Sequence, residues 1–197
     1  MPAAAVAAGP ERADEEIEAR CMALAHQGQL LQARGRMEWP DGTVTARYGF
    51  RHAMYQEVLY QRIPAGRQTR WHARMGTRLA HGFGERAADM AVALAMHFVR
   101  GRLLAQAVPY LWLAGQQAVQ RSAHREAVAH FEQALMALQH LPENREMLEQ
   151  AIDLRFDLRT SLQPLGEFRR LLDNLREAET LAKVLDDRGR LGRSPPI

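Results

Sequence analysis

The stretch from Leu103 to Leu141, LLAQAVPYLWLAGQQAVQRSAHREAVAHFEQALMALQHL, constrains the fold more than any other part of the chain. Two apolar patterns at helical spacing meet there at a short break, Arg121-Ser122. Ala107, Leu111 and Ala114 recur at steps of four and three, and Ala127, Phe131 and Ala134 repeat that spacing. Small–large–small stripes on paired helices let two backbones approach while one large side chain fills the gap between them. Gly115 lies one turn before Ala118, where a bulkier side chain would hold a neighbouring helix away. That is the logic of stacked helical hairpins, an architecture that usually binds rather than catalyses.

The flanking sequence extends the same pattern. Pro64 can start a helix to about residue 83, with Trp71, Met75 and Leu79 on its apolar face and Gly82 and Gly84 breaking the pattern. Residues 85–100 place Ala91, Leu94, Ala95 and Phe98 inward, with Gly101 as a C-cap. Pro109 inside the next helix predicts a kink or a late start. Residues 144–163 carry Leu148, Ile152, Phe156 and Leu162; after the turn Pro164-Leu165-Gly166, residues 167–187 carry Phe168, Leu171, Leu172, Leu175, Ala178, Ala182 and Leu185. Six helices in three antiparallel pairs follow from these short connections.

The N-terminal third reads differently. Residues 2–10 are low in complexity and expected to fray. Asp14 can cap a helix over 14–27, with Glu15, Glu16 and Glu18 near its positive end and Ile17, Cys21, Leu24 and Ala25 as its stripe. Residues 29–50 form the one β-like region, two strands around Trp39-Pro40-Asp41-Gly42, where Asp-Gly is a hairpin signal. A helix over 52–62 follows, with Met54, Val58 and Leu59 inward. Helix then hairpin reads as the end of a winged-helix domain. The expected organisation is a mainly α chain: a winged-helix remnant over 1–63, helical repeats over 64–188 and a disordered tail over 189–197.

Composition narrows the function. Apolar residues make up 47% of the 197, enough for a buried core. No apolar run approaches the roughly 20 residues needed to span a bilayer. The N-terminus lacks a basic leader and its apolar run is shorter than most secretory signals, so a cytoplasmic location without membrane attachment is expected. Cys21 is the only cysteine, which excludes an internal disulfide; a small core residue is the plain reading of such a thiol. Net charge is +3, unevenly spread: residues 1–28 carry two Arg against five acids, and residues 29–86 carry ten Arg against four. Lys183 is the only lysine. Arginine bias fits either a GC-rich genome or selection for phosphate and carboxylate forks.

Several motifs together resemble a known family. Tyr48-Gly-Phe-Arg-His-Ala-Met-Tyr-Gln-Glu-Val-Leu-Tyr60 resembles the segment after the wing in bacterial signal-transduction ATPases of the STAND class, some of which are fused to adenylate cyclase or transcription-activator modules. Trp39-Pro-Asp-Gly42 before it and Arg67 to His72 after it fit the same group. Ala95-Met-His97-Phe98 and Ala114-Gly115 to Ala134 resemble the start of its tetratricopeptide-like array, and Leu162 to Arg193 a later repeat. The implied fold is a partial winged helix with one β-hairpin followed by an α-helical tetratricopeptide-like solenoid. One feature departs: no GxxxxGK[ST] string occurs, so the phosphate-cradling loop of such ATPases is missing. The resemblance therefore implies the C-terminal part of a STAND ATPase without its ATPase module. The ending Arg193-Ser-Pro-Pro-Ile197 reads as a truncation or frame change.

Candidate residues follow from these patterns. By resemblance, His52 with Arg51 would sense a bound nucleotide's phosphate if an upstream ATPase module were present; otherwise His52 caps or packs at the strand-to-helix junction. Arg67, Arg70, Arg74 and Arg78 follow at steps of three and four and line one helical stripe. That stripe could be solvated, could face an acidic protein, or with the hairpin could face nucleic acid phosphates. His124 and His130 flank Glu126 but stand six apart on different helix faces, so they do not make a zinc pair, whereas Glu126 and His130 can meet on the surface. Of Trp71, Tyr110, Trp112 and Phe131, Trp112 is the candidate exposed anchor for a partner helix or peptide. No catalytic group, metal site or cofactor is expected. The leading function is a regulatory protein-interaction module, and the alternative is a nucleic-acid-binding transcriptional regulator.

Overall fold

A computed structural model describes residues 3–8 and 14–185. It is mainly helical, with one two-stranded antiparallel hairpin. The chain divides into two compact units, Met1–Leu103 and Leu104–Ile197; the sequence boundary after residue 63 falls inside the first. The expected tail over 189–197 lies outside the described residues.

In the first unit, α1 (Ala3–Ala8) is followed by α2 (Asp14–Gln27). Residues 2–10 had been expected to fray, but α1 buries Ala3 and Ala5 and packs on neighbouring elements. Alanine is the best helix former, and its small side chain permits this close packing. Strands β1 (Leu31–Glu38) and β2 (Val44–Phe50) pair from Leu31 opposite Phe50 to Glu38 opposite Val44. The register slips between Ala33 and Arg36, where Gly35 takes a φ of 85°.

Helix α3 (Ala53–Gln61) corrects an expectation. Met54, Val58 and Leu59 do not point inward; the helix buries no residue, and Met54 is 72% exposed. Periodicity reports which side chains would gain from burial, not whether the chain supplies a cover. Helix α4 (Ala65–Phe83) buries His72, Gly76, Leu79, Gly82 and Phe83. Trp71 and Met75, expected at the centre of its apolar face, are only half-buried. A 3-10 segment (Gly84–Met90) replaces the first turns of the expected helix over 85–100, and α5 (Ala91–Arg100) buries Ala91, Leu94, Ala95 and Phe98 as read. Gly101 is the C-cap as expected, its N–H bonded to the His97 carbonyl at 2.8 Å, with a φ of −77° rather than a left-handed one. Its role is close approach, since a Cβ there would lie 2.7 Å from the backbone nitrogen of Ala73.

Among its described residues the second unit has four helices: α6 (Leu104–Gln120), α7 (His124–Gln139), α8 (Arg145–Leu162) and α9 (Phe168–Val184). Each packs on the next, and α6 also touches α8. Ala107, Leu111, Ala114, Ala127, Phe131 and Ala134 are all buried, as the spacing required. Gly115 lies under the Phe131 ring, where a Cβ would meet ring carbons at 2.3 to 2.8 Å. Ser122 makes the tight turn with a φ of 56°. Helix α6 starts at Leu104, ahead of Pro109, so the late start does not occur. Asn144 caps α8, its Oδ1 accepting the Met147 N–H at 2.8 Å. On α9, Leu175, Ala178 and Ala182 are buried, but Phe168 is 63% exposed and Leu172 is exposed as well. No helix among the described residues is long and apolar enough to cross a membrane.

Candidate functional site

The Trp39-Pro-Asp-Gly turn sits against the end of α4. The Trp39 ring is buried, 5.5 Å from the Phe83 ring centroid, and a Cβ on Gly82 would fall 2.2 Å from it. Glycine at 82 is what lets the indole lie on the helix backbone. The Asp41 N–H donates to the Gly82 carbonyl at 3.2 Å. Arg78 closes the contact: its guanidinium lies 4.6 Å from the Trp39 ring centroid and donates to Asp41 Oδ2 at 2.9 Å and Thr43 Oγ1 at 2.8 Å. Hydrogen bonds from Thr43, then from Arg78, hold the Asp41 carboxyl down at about 2.

The arginine stripe is therefore not one uniform face. Arg78 is half-buried and committed to the turn, and Arg74 is half-buried with interactions of its own. Arg67 and Arg70 are exposed, as are Arg34, Arg36 and Arg47 on the hairpin. Arg51 has a structural task too: it donates to the Gly28 carbonyl at 2.7 Å, tying the end of β2 to the exit of α2. His52 occupies the N-cap position of α3 but makes no side-chain cap, and its exposed ring stands edge-on to Tyr55 at 5.5 Å.

A buried polar chain crosses the first unit that sequence reasoning missed. The Tyr60 hydroxyl meets His72 Nε2 at 2.9 Å, and His72 Nδ1 meets His97 Nδ1 at 3.0 Å. Both imidazoles are buried, and His97 Nε2 has no hydrogen-bond partner. Burial pushes His97 down to about 4, helped by His72 and Arg100; burial and then Arg100 also lower His72. The only available signal was a histidine on the apolar face of each of two consecutive helices. The motifs Arg67 to His72 and Ala95 to Phe98 meet through this pair.

In the second unit Trp112 is half-buried and does not stand free. Its indole N–H donates to Asp157 Oδ2 at 2.6 Å, and Gln116 Nε2 donates to the same oxygen at 3.2 Å, linking α6 to α8. Beside this link Val108, Pro109, Trp112, Leu141 and Met147 line a groove of about 290 Å³. Tyr110 is half-buried and Phe131 is core. On the α7–α9 side, Arg155 is buried and donates to Glu177 at 2.6 Å, while Arg170 bridges Glu132 and Glu167. His130 Nε2 lies 3.8 Å from Glu126, the surface meeting that their spacing allowed. Among the described residues no three His, Cys, Asp or Glu side chains converge as a metal site. Cys21 is half-buried, its thiol pushed up by burial and then by Glu18, which opposes thiolate formation.

An uncharacterized protein of Rhizobium meliloti (strain 1021) is 34% identical to this chain over 116 residues. The match takes in 57% of this chain and 11% of that protein, so the chain spans a small part of the relative it resembles. No protein-family model matches the chain, and no solved structure does.

Proposed function

We propose that this chain is a non-catalytic protein-interaction and regulatory module whose α6–α9 hairpins form a tetratricopeptide-like solenoid. The groove between α6 and α8 carries the reading. Ala105, Val108, Pro109, Trp112, Leu141 and Met147 supply most of its lining, beside Glu146 and Gln150, and the Trp112–Asp157 bond fixes its one large aromatic in place, which lowers the entropy lost on docking. An extended or helical peptide with aliphatic anchors is the fitting occupant. The test is selection of peptides from a displayed library on the full chain, repeated on Ala105→Arg, which puts a long charged side chain into the lining. Peptides should be enriched on the parent and lost on the variant; enrichment indifferent to the variant rejects the groove.

The derivation from a STAND-class ATPase belongs to the same proposal. Supporting it is a relative in which the matched segment is a small part of a far longer protein. In that setting His52, exposed at the start of α3, would reach a nucleotide phosphate supplied by an upstream module, while Arg51 braces the strand end behind it. Equal ADP affinity in native and His52→Ala proteins carrying such a module would remove that role.

Exposure of Arg34, Arg36, Arg47, Arg67 and Arg70 on one unit favours a second reading, binding to nucleic acid phosphates. Affinity for duplex DNA should then fall steeply with salt. Absence of binding at low salt ends it.

A further inference from the structure

The proton count of the Tyr60–His72–His97 chain has a functional consequence. Only one proton fits between two Nδ1 atoms 3.0 Å apart. If His97 supplies it, His72 carries its own proton on Nε2 and donates to the Tyr60 oxygen, leaving a bare lone pair on the buried His97 Nε2. If His72 supplies it, the Tyr60 hydroxyl donates to His72 and His97 must bury an unpaired N–H. Both arrangements are neutral, and the first leaves only an acceptor unmet, the cheaper omission. One added proton puts a cation, with an orphan N–H in either placement, into a pair whose His97 is 1% exposed. Two added protons also remove the bond between the rings, since both Nδ1 atoms then donate.

Among the described residues the surroundings offer the added charge no relief. Tyr60 faces the pair from α3, and Arg100 acts on both rings from α5, its guanidinium 5.7 Å from the Tyr60 ring centroid. Helix α1, packed on α4, carries only Ala and Val. The 3-10 segment brings Glu85, Arg86 and Asp89 to the opposite end of the α4–α5 pair, with Arg86 bound to Asp89. Gly101 against Ala73 and Gly76 against Phe98 fix the two helices at close approach, so they cannot slide to new partners. Helix α3 buries nothing, and its C-terminal end is held through Tyr60 and by Gln68, which donates to the carbonyls of Tyr60 and Ile63.

We propose that this chain is a proton-operated latch: the neutral pair holds α3 and α5 against α4, and proton uptake releases α3 and the first turns of α4. The closed state is fully favoured above the ordinary histidine value of about 6.5 and loses ground as pH falls from there to about 4, the value to which His97 is pushed. Below that both states are protonated and the effect levels off. From His97 alone, the opening equilibrium should rise roughly 30-fold between pH 7.5 and pH 5.

Amide hydrogen exchange on the full chain at pH 7.5 and 5, corrected for intrinsic rates, measures it. Peptides over residues 53–76 should show the rise and peptides over α7 should not. In His97→Leu, which removes the ring that is pushed down furthest, the rise should shrink to what His72 still contributes; the same rise in that variant and in the parent overturns the latch. Imidazole nitrogen NMR on the parent gives an answer even if the variant does not fold. A His97 midpoint near 4 supports the latch, and one near 6.5 refutes it.

Discussion

Gly115→Ala separates two opposing effects by sign. Replacing a mid-helix glycine with alanine stabilises an unconstrained helix by about 1 kcal/mol. Here the new methyl would sit 2.3, 2.6 and 2.8 Å from three carbons of the Phe131 ring. Carbon pairs are at their best near 3.5–4.0 Å, so the ring must leave its rotamer or α6 and α7 must part by about 1 Å. Overpacking of that kind costs about 1–3 kcal/mol. The ring is fully buried and the contacts are this short, so strain should fall in the upper part of that range, about 2–3 kcal/mol, and win with a net loss of about 1–2 kcal/mol. In a Phe131→Leu background the methyl gains room, and the same change should be neutral or stabilising by up to about 1 kcal/mol. The cycle should therefore show a coupling of about 2 kcal/mol. Urea unfolding of the four proteins, followed by circular dichroism, measures it. Gly115→Ala as stable as the parent, or equally costly in both backgrounds, would refute close packing of these helices as the reason for glycine.

Other expectations follow from single contacts. Trp112→Phe should cost about 1 kcal/mol by removing one of the two donors to Asp157, Gln116 remaining, measured in the same unfolding assay. Arg78→Met should raise the Asp41 carboxyl from about 2 yet leave it below the ordinary carboxylate value, because Thr43 is the larger cause; carboxyl carbon NMR across pH 1–6 reads this. The bond is present above the ordinary value, and its stabilisation is lost as pH falls through about 2. Asn144→Ala should lower stability by about 1 kcal/mol through loss of the α8 cap, visible as a drop in Tm.

The order of helices was readable because apolar spacing declares faces, and Gly115 between Ala114 and Ala118 declared a close approach. The same spacing misled at α3 and α9. Met54, Val58, Phe168 and Leu172 recur as buried residues should, yet no described element covers them. On α4 the buried stripe turned from Trp71 and Met75 toward His72 and Gly76, because α5 packs where the small residue is. A histidine counts as polar in any apolar pattern, so the His72–His97 pair was invisible until two helices were brought together. Steps of three and four put Arg78 on a stripe, but nothing local foretold that a turn 37 residues upstream would claim it.

The hairpin is pinned at both extremities. Its tip is fastened to the far end of α4 by Trp39, Asp41 and Arg78, and its root to the exit of α2 by Arg51. It behaves as a strut rather than a flap. A ligand bound at Arg34 or Arg36 would sit on a ribbon whose two ends are each tied to a helix, one of them the helix that carries His72.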